Sequence, residues 1–199
     1  ISLLDVQIAL HTYRAKYYFV AGEVAKPVGT AHVSSVPLRA YRTKDSWVVI
    51  EAFMEHFWQA LCKAMGIEHV AYDERYNSRA KRLERREEVD RILEERFLTK
   101  TTDEWMELFL QYEIPSGPIN TLGRALSDQQ VLARDMVVEV DHPVAGKLKD
   151  VGNPVKLSEV EACVYNPPPL LGQHSEEILR DLLGCGPEKI QELKQAGVI

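Results

Sequence analysis

Cysteine is scarce, and what there is lies badly for any chemistry that needs it in clusters. Cys62, Cys163 and Cys185 are the only three. They form no CxxC pair and have no histidine at ligand spacing, so neither a disulfide framework nor a structural zinc site is expected. They read as reduced thiols of a cytoplasmic protein. Long apolar runs are also missing, and none approaches the roughly 20 residues of a membrane-spanning helix. Positive charge is in deficit: 24 Lys and Arg stand against 30 Asp and Glu, a formal net charge of −6. Nucleic-acid binders held by phosphate contacts need a clustered basic surface, so that class is disfavoured. No internal repeat or low-complexity tract occurs. What remains is ordinary: 45% hydrophobic residues suffice for a core, and 199 residues allow one domain or two small ones. The chain opens on Ile1, directly on an apolar-patterned segment. The expectation is a sequence that starts in mid-fold.

Residues 2 to about 21 read as one helix with mixed apolar spacing, stopped by Gly22, because glycine takes the left-handed conformation that ends helices. The stretch from Glu23 to Pro37, with Pro27, Gly29, Ser34 and Ser35, reads as a loop. Trp47 to Phe53 is β-branched and aromatic, the best strand in the chain, with Leu38–Arg42 as hairpin partner across Lys44–Ser46. Helix is predicted from Glu55 to Met65, ending at Gly66. Ser78 is expected to cap one long helix to Phe97, and Thr101 with Glu104 makes a capping box for a helix through Tyr112. Ile114 to Pro118 reads as a rigid loop, followed by short helices over Thr121–Leu126 and Asp128–Arg134. Met136–His142 and Lys147–Val151 read as a hairpin. Pro167, Pro168 and Pro169 mark an extended linker. Ser175 should cap a helix to Leu183, and Pro187 should open a last helix that Gly197 ends.

Several segments together resemble the class III coenzyme A transferases, the group that includes formyl-CoA transferase and carnitine CoA-transferase. The matching stretches are Ser2–Asp5, Gly29-Thr-Ala-His32 with Val36-Pro37, Ile114–Asn120, Asp128–Val131, Met136–Val140 with His142-Pro143, Pro167–His174, and Ala196–Ile199. Their order and spacing follow the family across essentially the whole chain. The resemblance implies an α/β fold: a small α/β domain, an interdomain helix and a C-terminal tail. It implies residues 1–35 as interdomain helix and covering loop, 36–125 as the small domain, and 126–199 as linker strands and a segment returning to a large N-terminal domain that lies upstream. Two such subunits interlock as a homodimer in the family.

The family reaction moves coenzyme A from an acyl-CoA thioester to a second carboxylic acid. As the resemblance has it, an aspartate attacks the thioester carbonyl and forms a mixed anhydride, which the CoA thiolate converts to an aspartyl thioester. That is nucleophilic catalysis, one hard exchange divided into easier ones. The nucleophile is expected upstream, so no catalytic residue is assigned in this chain, and the chain alone is expected to be inactive. Acyl-CoA and a small carboxylic acid are the implied substrates; no permanent cofactor, metal, nucleic acid or membrane partner is expected. A mitochondrial or peroxisomal location of the longer protein stays open beside the cytoplasmic one.

Anhydrides hydrolyse in open water, so something must cover them. By position the covering loop is Val28–Ser35, with Gly29, Thr30, Ala31 and His32 as its candidate site residues. It has one glycine where formyl-CoA transferase has a run of them. On residue pattern alone the stretch is an ordinary surface connection; in the family's register it is the loop that shields the intermediates. His32 reads as a hydrogen-bonded structural histidine, or as a group that orients an acceptor carboxylate. His142 and His174 read as structural. Glu55-His56 has no second ligand at helical spacing and is no metal motif. In the family the helix that Leu3 and Leu4 begin flanks the CoA cleft, so the resemblance implies a contact from one of them, Leu3 being the candidate, to the nucleotide or pantetheine; core packing is the alternative. The run Arg75, Arg79, Lys81, Arg82, Arg85, Arg86 suggests a phosphate-holding patch, but interleaved glutamates favour a solvated, salt-bridged helix face. Two other functions stay open: an α-methylacyl-CoA racemase-type relative, and a non-enzymatic dimerisation or regulatory module.

Overall fold

Alternation along one strand decides which side of the first sheet looks inward. In β2 (Trp47–Glu51) Val48 and Ile50 are fully buried, while Trp47 and Val49 are exposed. Two residues per repeat put neighbouring side chains on opposite faces. This computed structural model describes residues 1–159 and 165–199, so the reading of Cys163 as a reduced thiol lies outside the described residues. The chain divides into two units, Ile1–Ile119 and Asn120–Ile199.

The first unit begins with α1 (Leu3–Leu10) and α2 (Thr12–Ala21). One continuous helix was expected here, and the ladder instead breaks at Thr12, whose φ is 41°. Apolar side chains run round all sides of this segment, so no single stripe holds it straight against a core. Gly22 ends α2 at φ 66°, as the sequence indicates. No residue of either helix is buried.

After the loop, β1 (Leu38–Arg42) pairs antiparallel with β2 through the turn at Lys44–Ser46, Leu38 facing Glu51 and Arg42 facing Trp47. The expected rigid loop at Ile114–Pro118 is in fact partly a strand, β3 (Ser116–Pro118), which adds to the other side of β2. Proline cannot donate to a ladder and so occupies sheet edges; β3 is such an edge, and the Pro115 carbonyl accepts from Glu51 N–H at 2.9 Å.

Helices α3 (Glu55–Ala64), α4 (Glu68–Tyr72), α5 (Arg79–Glu84), α6 (Arg86–Phe97) and α7 (Thr102–Gln111) complete this unit. The capping box is present: Thr101 Oγ1 accepts from Glu104 N–H, and Glu104 Oε2 accepts from Thr101 N–H at 2.7 Å. The long helix expected over 78–97 is divided at Arg85, whose φ and ψ are −112° and 33°. Five consecutive charged residues, Glu84 to Glu88, separate Leu83 from Val89, so nothing apolar presses a straight helix on the core there. The core beneath the sheet is aromatic. Phe97 stacks on Tyr41 at 4.7 Å between ring centroids, and Trp105 stacks on Phe109 at 5.4 Å. Such pairs contribute about 0.5–1.5 kcal/mol each beyond their buried area. Trp105 also donates Nε1–H to the Phe97 carbonyl at 2.9 Å.

The second unit holds α8 (Leu122–Leu126), α9 (Gln129–Ala133), the hairpin β4 (Val137–His142) and β5 (Gly146–Val151), then α10 (Ser175–Asp181) and α11 (Pro187–Gln195). His142 has the structural role expected of it: Nδ1 accepts from Val144 and Ala145 N–H at 3.1 and 3.0 Å, closing the hairpin turn. Ser175 does not cap α10; it is the first helical residue, and His174 precedes it without a side-chain cap bond. Pro187 opens α11 as expected.

Gly152 follows β5 where the backbone doubles against Asp135. A Cβ there would lie 2.2 Å from the Asp135 carbonyl oxygen, and backbone cannot swing aside as a side chain can. Gly152→Ala should therefore cost roughly 1–3 kcal/mol, the range of an overpacked site, read as a lower midpoint in urea denaturation. An unchanged midpoint would show that the Asp135 turn yields freely.

Candidate functional site

The loop between α2 and β1 has a free tip and a held arm. Its tip is a turn closed by Ala31 N–H to the Val28 carbonyl at 3.1 Å, with Gly29 at φ +61°. That left-handed angle suits glycine because it has no Cβ. Thr30 Oγ1 accepts from Ala40 N–H at 3.2 Å. A hydroxyl that accepts one bond keeps a proton to give. His32 N–H donates to the Leu38 carbonyl at 2.9 Å, so the loop folds back along the start of β1.

His32 Nδ1 accepts from Ser34 N–H at 3.3 Å. That bond leaves Nε2 as the ring nitrogen not engaged by Ser34. Gly29 and Thr30 are exposed, while Ala31 and His32 are half-buried. The four sequence-nominated residues thus share one turn and its descending arm. Between Glu23 and Asp45 the chain has no carboxylate, so the loop supplies donors and cover but no acidic nucleophile. Leu3, by contrast, is 83% exposed on α1, and none of the loop's hydrogen bonds among the described residues reaches that helix.

The arm is held by arginines, which sequence reasoning placed on a solvated helix face. That reading is right for half the run. Arg75 pairs with Asp73, holding that carboxyl down at about 2 through its hydrogen bonds; Lys81 bonds Asn77, and Arg85 pairs with Glu84. It fails for the other half. Arg86 Nη2 donates to the His32 and Val33 carbonyls at 2.7 and 3.0 Å. Arg79 Nη2 donates to Ser35 Oγ at 3.0 Å. Arg82 is wholly buried and donates from Nε to the Val36 carbonyl at 3.2 Å. Its remaining N–H groups go to the Tyr76 and Phe53 carbonyls and to both oxygens of Glu55. Its guanidinium also lies over the Trp58 ring, 5.1 Å from the centroid. One signal was available: Arg79, Arg82, Arg86, Val89, Leu93 and Phe97 fall three or four apart, a single helical stripe whose later members are plainly core.

Burial pushes the Cys62 thiol up to about 12, against a smaller pull from Arg82, so it is no nucleophile at neutral pH. Among the described residues no group of three His, Cys, Asp or Glu side chains could hold a metal ion. Nor is any described helix long and apolar enough to cross a membrane.

The chain is mixed α/β, with two small sheets among the described residues. A CaiB/BaiF family protein from Brucella suis superposes with a TM-score of 0.73 at 24% identity, over 87% of this chain and 45% of that one. The model of CoA-transferase family III matches residues 1–175, and the chain belongs to that family. Human succinyl-CoA:glutarate CoA-transferase is 35% identical over 198 residues, which is 100% of this chain and 45% of the relative. Formyl-CoA:oxalate CoA-transferase from Bradyrhizobium diazoefficiens is 38% identical over 142 residues, 71% of this chain and 33% of the relative. The chain therefore spans less than half the length of the curated relatives it matches.

Proposed function

We propose that this chain is the C-terminal half of an acyl-CoA:carboxylate CoA-transferase, and that Gly29, Thr30, Ala31 and His32 form the loop covering its reacting carbonyl. The observation that carries this is the match to succinyl-CoA:glutarate CoA-transferase along the whole chain, against less than half of that relative. An upstream half supplies the aspartate that attacks the thioester. Acyl transfer to that carboxylate releases CoA thiolate, which attacks the aspartyl carbonyl of the anhydride and expels the donor acid. The acceptor carboxylate then displaces the thiolate from the aspartyl thioester to form a second anhydride, and the thiolate attacks its acyl carbonyl to give the new acyl-CoA and free the aspartate. The named relatives are transferases, which favours this over racemase-type proton transfer. Small dicarboxylic acids of the succinate and glutarate size are the first substrates to try.

In this reading residues 1–35 carry the interdomain helix and loop, 36–125 the small domain, and 126–199 the strands and tail that return to the upstream half. The exposed apolar side chains of α1 and α2, Leu3 among them, then pack on that half and on a second subunit, since a contiguous apolar surface of this kind marks an interface. A homodimer and a cytoplasmic location complete the proposal. The test joins the upstream half to this chain and assays succinyl-CoA with glutarate. Glutaryl-CoA and a covalent adduct on an upstream aspartate are expected, with neither from the 199-residue chain alone. An acyl or CoA adduct on the isolated chain would sink the assignment of the nucleophile.

A further inference from the structure

The arginines on α5 and α6 converge on the one segment that the proposed chemistry needs held still. Reading along it, the His32 and Val33 carbonyls take Arg86, the Ser35 hydroxyl takes Arg79, and the Val36 carbonyl takes Arg82. Ser35 and Val36 are buried, and a buried carbonyl without a donor is costly. The sheet does not supply those donors, because β1 begins only at Leu38. Beneath the arm, Glu55 joins two of the arginines: its Oε1 accepts the Arg79 backbone N–H at 2.8 Å, and its carboxylate meets Arg82 Nη1 at 2.8 Å. Arg82 spends all five of its N–H groups. It cannot turn away to bind anything else. The tip is different, since Gly29 and Thr30 are exposed and, among the described residues, hydrogen bonds tie it through Ala31 and Ala40.

We propose that Arg79, Arg82 and Arg86 are positioning residues that clamp the arm from His32 to Val36, so that the covering loop moves only at its Val28–Ala31 tip and presents His32 at a fixed place. This rests on the reading of the loop as the cover over the acyl intermediates. These three members of the basic run therefore serve the arm of their own chain rather than a phosphate of coenzyme A. A rigid arm under a mobile tip lets the cover open for substrate without losing register on closing, which is where misplacement would admit water.

The test uses the complete enzyme with Arg86→Met and Arg86→Lys, and with Arg79→Met as a second route that touches only an exposed side chain. Amide hydrogen exchange reports the clamp, and the ratio of acyl-CoA hydrolysis to CoA transfer reports its consequence. In Arg86→Met, exchange at the His32 and Ser34 amides should quicken about tenfold or more while the β1–β2 amides stay protected, as local opening requires. Hydrolysis per transfer should rise several-fold with the donor's KM little changed, and Arg86→Lys should recover part of both because it restores a cation near the two carbonyls. Unchanged exchange in folded Arg86→Met and Arg79→Met enzymes would overturn the clamp. Faster exchange with an unchanged hydrolysis ratio would overturn the positioning role alone; the covering role is read separately, from hydrolysis in Gly29→Val.

Discussion

Arg82→Met should destabilise the first unit by roughly 3–5 kcal/mol, the range for breaking a buried charged network by removing one partner. Methionine fills much of the volume but offers no donor, leaving the Val36, Phe53 and Tyr76 carbonyls without their Arg82 bonds. Each such buried group costs about 1–3 kcal/mol when water cannot reach it. The loss comes chiefly from these carbonyls, since the Glu55 side chain is 48% exposed and keeps its hydration. Glu55→Ala should accordingly be the milder change. Against a total stability of roughly 5–15 kcal/mol, the Arg82→Met protein should show a strongly lowered urea midpoint by tryptophan fluorescence, with Trp58 beside the lesion as reporter. A midpoint within about 0.5 kcal/mol of the parent, the scatter of surface substitutions, would mean that the network contributes nothing net.

Gly29→Val should leave the fold intact and damage catalysis in the complete enzyme. The position sits at φ +61° with no atom within 4 Å of where a Cβ would stand. The cost is therefore backbone strain rather than collision, about 1–3 kcal/mol for a β-branched residue held left-handed. The tip relieves that strain by opening the Val28–Ala31 turn, which carries Thr30 away from Ala40. If the loop covers the intermediates, kcat should fall on the order of 10–100-fold, the rate equivalent of about 1.4–2.7 kcal/mol. Hydrolysis of acyl-CoA should increase and the affinity for free CoA should hardly change, because the loop acts after the donor binds. Normal folding with unchanged turnover and unchanged hydrolysis would reduce the stretch to a plain connector.

Features carried by neighbouring residues were legible in the sequence. The Thr101–Glu104 box, the stops at Gly22 and Gly66, and Pro187 at a helix start all stand as read, and the strand expected over Trp47–Phe53 is there with its hairpin partner but ends two residues earlier, at Glu51. Each depends on atoms within one turn or one strand pair, and residue type decides that chemistry locally. The family resemblance likewise nominated Gly29, Thr30, Ala31 and His32, which do share one turn and its arm. Errors came where a local rule met a distant partner. Pro115 and Pro118 argue against a central strand, and only the open edge of β2 makes Ser116–Pro118 a strand.

Arg79, Arg82 and Arg86 show the division most sharply. Their spacing places them on one helical stripe, and composition says that such a stripe of cations faces water. That inference holds only while water is the best acceptor available. Val36 and His32 lie 46 and 54 residues from the arginines they meet, and no local pattern announces that their carbonyls will need donors. The sequence alone determined where helix, hairpin and the glycine turn lie and which family the chain resembles, but not that the helices over 2–21 and 78–97 each break in two. Tertiary structure decided that Arg82 is buried and that Arg79 and Arg86, from more open positions, turn to the same arm, because folding brought that arm's acceptors to a charged face.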